Sequence, residues 1–241
     1  MKLTLIGNGI MAQSLARGLV EKFEIEVMGR DEKKLAKMQE KIPEITTKLI
    51  GDSEDITNRI VIFCVKPYAL QSVSVRLQGK ASLLLSILAG TKLETLKRQI
   101  QADHYIRTMP NIAASVQKST TTMTGDKEGK TIAMDIFNEI GKTIWVNTEN
   151  QLDIATAIAG SGPAYLALIA EALADGGVKA GLERSHSTAL VQGLFHGVAA
   201  LLDKNHPAII KDGVMSPGGT TAAGYAQLEE AGVRNAMIKA V

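Results

Sequence analysis

The sequence predicts an α/β fold for the N-terminal part of the chain and an all-α fold for the remainder. Short runs rich in Val, Ile and Leu alternate with stretches of helical spacing, but no strand pattern follows Asn150. Alternation of strands and helices is typical of a parallel sheet covered on both faces. We therefore expect a doubly wound parallel sheet in residues 1–149 and a smaller helical domain in residues 150–241.

The elements of the first domain can be assigned in order. Strands are predicted at residues 2–6, 24–28, 60–65, 82–87 and 104–109, and helices at 11–22, 31–41 and 92–101. The segments 119–124, 129–140 and 142–146 then predict a β-α-β tail. The strands are almost continuously apolar, which indicates burial on both faces.

Composition and charge narrow the classes of partner. The 27 basic residues nearly balance the 25 acidic ones, so nucleic acid is not an expected partner. Cys64, the only cysteine, lies in the apolar run IVIFCV; we expect a buried thiol and no metal site. The N-terminal segment MKLTLIGNG is too short for a signal peptide or a membrane span, so a cytoplasmic location is expected.

The first strand runs into a glycine motif at the start of a helix. Its residues, Gly7, Asn8, Gly9, Ile10, Met11 and Ala12, follow the pattern G-x-G-x-x-A. In Rossmann-type domains the first glycine permits a tight turn, the second lets the backbone approach a pyrophosphate, and the small third residue permits close packing. A glycine turn without a ligand is the alternative. The position between strand and helix favours a dinucleotide site.

The end of the second strand bears on the choice of cofactor. NAD-binding proteins carry a carboxylate here for the ribose 2′-hydroxyl, but this sequence has Gly29 followed by Arg30. Arg30 can neutralise a 2′-phosphate and stack on adenine, whereas Asp31 is expected to cap the next helix. We therefore predict NADPH as the cofactor, with NADH as the alternative.

Further loops follow strands at the edge of the sheet where ligands bind in open α/β folds. Pro67 fixes an abrupt exit from its strand, Ala89 and Gly90 leave room for a flat ring, and Asn111 supplies an amide. The residues predicted to contact the cofactor from these loops are Val65, Lys66, Pro67, Ala89, Gly90 and Asn111. In the alternative interpretation Lys66 is a solvated loop lysine, and we do not predict it to be catalytic.

Two segments of the C-terminal region are apolar nearly all round. After the break at 160–163, Pro163 suits the first turn of the helix AYLALIAEALADGGVKAG, and residues 188–202 are equally apolar. Because a region of this length does not easily bury two such helices, we expect them to form the interface of a homodimer or of a larger assembly. A membrane hairpin is the alternative, but charge or glycine interrupts both segments before about 18 residues.

The motif SPGGTT (216–221) predicts an anion site at the start of a helix. Ser216 is expected to be the N-cap and Pro217 the first helical residue, with Gly218 and Gly219 in the first turn. Glycine there costs on the order of 1 kcal/mol, and its benefit is access to unpaired amides. A small carboxylate would meet the N–H groups of Gly218, Gly219, Thr220 and Thr221 and the hydroxyls of Ser216, Thr220 and Thr221. An ordinary serine-capped helix without a ligand is the alternative. A chain that has both a dinucleotide site and a site for a small carboxylic acid is expected to be a reductase.

The chain resembles the pyrroline-5-carboxylate reductases over nearly its whole length. The weaker motifs are GNGIMA, VKP and RTMPN; the specific blocks are residues 159–182 and 206–241. The resemblance implies NAD(P)H-dependent hydride transfer to the C=N carbon of L-1-pyrroline-5-carboxylate, giving L-proline in the last step of proline biosynthesis. It also implies dimerisation through the C-terminal helices.

Carried over by position, the resemblance implies that the loops named above hold the dinucleotide and that SPGGTT holds the substrate. A cyclic imine arrives partly protonated, so we expect positioning to matter more than a strong general acid. Thr221, with Ser216, is the predicted catalytic hydroxyl pair, and Thr221 is expected nearest the imine nitrogen. Gly29 departs from the small polar residue that the resemblance implies before Arg30.

Two alternatives of different kinds remain open from the sequence. One is a reductase of another cyclic imine or of a β-hydroxy acid, although no lysine stands early in the 163–180 helix to act as acid. The other is a non-catalytic dinucleotide-binding protein, for which SPGGTT would have no use.

Overall fold

The computed structural model describes all 241 residues, which divide into two compact units, Met1–Pro163 and Ala164–Val241. The domain boundary at residues 149 and 150 stays a prediction. The helix that follows it, Glu149–Ala155, continues through a π-helical turn at Thr156–Gly160 towards the helix Gly162–Lys179.

The first unit is built on an eight-stranded sheet. The strands of the unit are β1 (Lys2–Ile6), β2 (Glu24–Gly29), β3 (Thr46–Leu49), β4 (Glu54–Asp55), β5 (Ile60–Phe63), β6 (Leu77–Gln78), β7 (Ala81–Ser86), β8 (Ala102–Met109), β9 (Ser119–Gly125) and β10 (Gly141–Trp145). The sheet order is β10-β9-β8-β7-β5-β1-β2-β3, and β4 pairs with β6 separately. Every predicted strand is present, and the sheet confirms the doubly wound fold class.

The sheet differs from the prediction at its two edges. Strand β3 was not predicted, because it is a short edge strand with no buried residue and no apolar run. Strand β9 pairs antiparallel to β8, and β10 then runs parallel to β9. Only the 3₁₀ helix Ile112–Val116 joins β8 to β9, and a connection that short cannot make the crossover that a parallel pair requires.

Helices cover both faces of this sheet. They are α1 (Ile10–Leu19), α2 (Glu32–Lys41), α3 (Leu70–Ser74), α4 (Leu93–Gln99), α5 (Lys130–Asn138) and α6 (Glu149–Ala155). The consecutive residues Leu5 and Ile6 of β1 belong to separate apolar clusters, one containing Phe137 and the other Leu96. Burial raises the pKa of the Cys64 thiol, which keeps it protonated and inert, as predicted.

The second unit contains helices only, as predicted. They are α7, whose residues Gly162–Lys179 begin just before the unit, α8 (Arg184–Leu202), α9 (Pro207–Val214), α10 (Thr220–Glu230) and α11 (Val233–Lys239). Pro163 lies in the first turn of α7, as expected. The Ser187 hydroxyl donates to the Ala174 carbonyl at 2.7 Å, and these are the two buried residues of the unit. Large apolar side chains such as Leu168 and Leu190 are exposed in the single chain.

Candidate functional site

A cavity of about 500 Å³ opens where β1, β2, β5 and β7 end. Strand β1 lies between β2 and β5, so the cavity is at the point where the order of strands reverses, the usual ligand position in such sheets. The residues predicted to contact the cofactor that line this cavity are Gly7, Asn8, Gly9, Ile10, Met11, Arg30, Val65, Lys66, Pro67 and Ala89.

The two glycines of the motif have different physical reasons. Gly7 adopts a φ of +125°, and a Cβ there would lie 2.7 Å from the backbone carbonyl of Cys64. Gly7 therefore lets β1 and β5 stay close at the bottom of the cavity. Gly9 is the N-cap of α1 and has open space where a Cβ would stand. Its benefit is the room it leaves for a ligand at the helix N-terminus.

The charges of the cavity fit a polyanion. Arg30, Lys34 and Lys66 line it, and no carboxylate does. Asp31 instead accepts from the Lys34 amide at 3.0 Å, which confirms its role as the cap of α2, and this hydrogen bond holds the pKa of Asp31 below its usual value. With no acid placed for a ribose 2′-hydroxyl and two cations after β2, these residues fit NADPH.

Three predicted residues do not line the cavity. Ala12 is fully buried, in keeping with its expected packing role. Gly90 is exposed in its loop with a φ of +67°. The Asn111 amide donates to the Ala159 carbonyl at 2.9 Å and accepts from the Ala113 amide at 3.0 Å. Contact of Gly90 and Asn111 with the cofactor stays a prediction; the Asn111 side chain has one further N–H and one further lone pair beyond these two bonds.

Sequence reasoning missed several residues of the cavity. Lys34 lies one turn into the helix after Arg30, and Tyr68 directly follows Pro67; both are exposed and line the cavity. Their positions next to predicted residues were the available signal. Ile50 and Val73 also line the cavity, and they come from segments that carry no motif.

The SPGGTT motif forms a turn before its helix rather than the helix start that was predicted. The Gly219 amide donates to the Ser216 carbonyl at 3.0 Å and Gly218 has a φ of +68°, which is a type II turn with Pro217 in its second position. The assignments of Ser216 as N-cap and Pro217 as first helical residue are therefore wrong, as is the placement of both glycines in the first turn. Helix α10 begins at Thr220, with Gly219 as its N-cap.

This geometry also changes which groups are free in the second unit. The Gly219 amide is engaged in the turn, but Thr220, Thr221 and Ala222 begin the helix and have no intrahelical acceptor. No side chain caps α10. The motif residues Ser216, Thr220 and Thr221 are exposed in the single chain.

Helices α1 and α10 thus share one kind of beginning. Gly9 and Gly219 are both extended N-caps without a side-chain hydrogen bond, whereas Asp31 and Thr148 cap α2 and α6 with their side chains. A helix that begins with free amides presents a partial positive charge to an anion. Lys92 and Glu183 also begin α4 and α8 without a side-chain cap, but only Gly9 and Gly219 are extended N-caps that lack a side chain, one in each unit.

A buried arginine anchors α6 to the sheet. Sequence reasoning assigned it no role. Arg107 of β8 is only 1% exposed and donates to Glu149 at 2.9 Å and to Asp153 at 2.8 Å, while its Nε has no partner. Lys92 also binds Asp153, at 2.8 Å. Burial alone would raise the pKa of Asp153, but the hydrogen bonds from Lys92 and Arg107 outweigh it and hold that pKa below its usual value. An arginine inside an apolar strand was the available signal.

The fold and the first site define a dinucleotide-binding protein in which a Rossmann-type domain is followed by a helical unit. Residues 2–90 match the family model described as NADP oxidoreductase, coenzyme F420-dependent, and residues 149–241 match the model described as pyrroline-5-carboxylate reductase dimerisation. A pyrroline-5-carboxylate reductase of Helicobacter pylori is 37% identical over 246 residues, which cover 99% of this chain and 95% of the relative. The chain belongs to the pyrroline-5-carboxylate reductase family.

Further relatives give the same result over the full length. A pyrroline-5-carboxylate reductase of Synechocystis is 38% identical over 255 residues, covering 100% of this chain and 94% of that protein. The crystal structure of Plasmodium falciparum pyrroline carboxylate reductase with NADP bound has a TM-score of 0.84 and 28% identity, and the match covers 100% of this chain and 95% of that one.

By length and composition alone, the helical segment Glu149–Lys179 could also cross a membrane. A single helix of this kind is weak evidence for a membrane span, and its most apolar stretch is only 6% buried within the single chain. The dimerisation model covers the whole segment, and a dimer interface gives its apolar side chains another means of burial.

Proposed function

We propose that this chain reduces the cyclic imine L-1-pyrroline-5-carboxylate to L-proline with NADPH, the last step of proline biosynthesis. The observation that carries the proposal is the pairing of a cationic dinucleotide cavity in one unit with an uncapped helix N-terminus at SPGGTT in the other. Full-length kinship with pyrroline-5-carboxylate reductases supports it. The sole lysine of α7 is Lys179, at its last residue, which disfavours the β-hydroxy-acid alternative.

The first unit binds and orients the cofactor. The amides at the start of α1 bind the pyrophosphate, Arg30 and Lys34 neutralise the 2′-phosphate, and the exposed backbone at Ala89 leaves room for the flat ring. When bound, the reduced nicotinamide supplies the hydride.

The second unit holds the substrate acid. The free amides of Thr220 and Thr221 bind the carboxylate, together with the hydroxyls of Ser216 and Thr220, and the type II turn presents Gly218 without a side chain. The Thr221 hydroxyl is the group expected nearest the imine nitrogen, where it acts as a hydrogen-bond partner. Since the imine arrives partly protonated, orientation accounts for most of the rate.

The apolar faces of α7 and α8 are buried in a homodimer, which the match to a dimerisation model supports. We propose a location in the cytoplasm and a small-molecule substrate as the partner of this homodimer.

The test is the initial rate of NADPH and NADH oxidation by the purified protein with pyrroline-5-carboxylate. Thr221→Val removes the hydroxyl while keeping the side-chain volume, and we expect kcat/KM to fall about 10- to 100-fold, with NADPH binding unchanged. Thr221→Ser keeps the hydroxyl and is the matched control, expected to retain most activity. If the protein oxidises neither cofactor, the proposed function is wrong. If the two Thr221 variants have equal rates, the hydroxyl has no role in the reaction.

A further inference from the structure

Asn8 and Gly29 pack against each other beside the dinucleotide cavity. A Cβ added at Gly29 would lie 2.6 Å from both Cγ and Nδ2 of Asn8, far inside contact distance. Gly29 is buried and is not among the glycines with positive φ. The Asn8 side chain in this conformation, rather than the backbone, therefore leaves no room for a Cβ at the end of β2.

The same asparagine connects two loops of the cavity. Its Nδ2 donates to the Asp31 carbonyl at 3.0 Å, across from the glycine loop to the start of α2. Asp31 follows Arg30 directly, and its carboxylate accepts from the Lys34 amide. One side chain thus ties the glycine loop to the segment of backbone that carries two of the cations lining the cavity.

We propose that Asn8 is a positioning residue that sets the preference for the phosphorylated cofactor. By filling the space above Gly29 and binding Asp31, it holds Arg30 and Lys34 where both reach the 2′-phosphate. The inference rests on the proposed function, because it concerns how the same site distinguishes NADPH from NADH. Gly29 is then the structural partner of Asn8, since any side chain there displaces it.

The experiment measures equilibrium binding of NADPH and NADH by nucleotide fluorescence, without substrate. Asn8→Ala removes one hydrogen bond, so we expect NADPH binding to weaken roughly 3- to 10-fold and NADH binding by about twofold or less. Gly29→Ser should weaken NADPH binding similarly, because its Cβ displaces Asn8. The double variant should bind NADPH no more weakly than Gly29→Ser alone, because removal of the Asn8 amide frees the space.

Asn138→Ala is the matched control; its amide oxygen accepts from Thr143 outside the cavity, and we expect no change for either nucleotide. Thermal unfolding checks that each variant folds, and Gly29→Ala takes the place of Gly29→Ser if the latter does not. Equal losses for both cofactors, or losses that simply multiply in the double variant, overturn the inference. If the unaltered chain binds neither dinucleotide, the proposed function fails instead.

Discussion

The two units of the chain bury their apolar side chains to very different extents. In the first unit a sheet with helices on both faces buries residues such as Leu5 and Phe137 completely. In the second unit only Ala174 and Ser187 are buried, although its helices are rich in Leu and Ala. The first unit satisfies its hydrophobic pattern within one chain, whereas the second requires a further surface, which we propose is a second copy.

The largest effect is expected from a charge placed on the apolar face of the second unit. Leu190 and Leu194 line an open groove on α8. In Leu190→Asp an unpaired carboxylate would be buried at the dimer contact, weakening association about 100-fold or more. Sedimentation should show monomers where the unaltered protein is dimeric or larger. Val75→Asp is the matched control, because Val75 is an exposed apolar residue of the first unit. Equal dissociation in both variants would contradict the proposal that the dimer contact lies in the second unit.

The next effect lies in the core of the first unit. Phe137 is fully buried, so Phe137→Ala should lower the free energy of unfolding by about 3 to 5 kcal/mol through lost burial and a cavity. Since this core lies within one chain, the loss should not depend on protein concentration. Urea unfolding at concentrations above and below dimer dissociation measures it. A loss that appears only in the dimer would show that the first unit is not self-sufficient.

The Arg107 cluster gives a comparable, pH-dependent effect. Arg107→Met leaves Glu149 and Asp153 without their buried partner and should cost about 3 kcal/mol at neutral pH. The folded pKa of Asp153 is lowered, so its stabilising contribution is present above its unfolded pKa, near 4, and is lost as the pH falls through the folded value. The difference in the free energy of unfolding between variant and unaltered protein, measured in urea, should therefore become smaller from pH 7 to pH 3. A difference that stays constant with pH would contradict this prediction.

The smallest effect concerns the turn in the second unit. Gly218→Ala places a Cβ at a φ of +68° and should cost about 1 kcal/mol. Because nothing lies within 4 Å of that Cβ, the cost is one of backbone conformation rather than of contact. The KM for pyrroline-5-carboxylate should rise more than the KM for NADPH. Gly176→Ala, in the helical α7 and also with open space, is the control and should be neutral or stabilising.

The accuracy of the sequence-based predictions follows from the range of the forces involved. The strands of the sheet centre were predicted because apolar runs such as residues 60–65 are local, whereas β3 has no such run and is fixed by pairing with β2. At SPGGTT the residue types were compatible with two local structures, a helix start and a type II turn. The hydrogen bond from Gly219 to Ser216 distinguishes them, and residue preferences alone did not.

The sequence by itself determined the alternation of strands and helices, the glycine loop after β1, the cation after β2 and the apolar C-terminal helices, because each is set by neighbouring residues. Only the tertiary structure decided that β9 turns back, that Lys34 and Tyr68 join the cavity, that Arg107 binds α6 and that Asn8 excludes a side chain at Gly29. These features depend on atoms distant in the chain brought within a few ångströms, and such distances are not encoded in local periodicity or spacing.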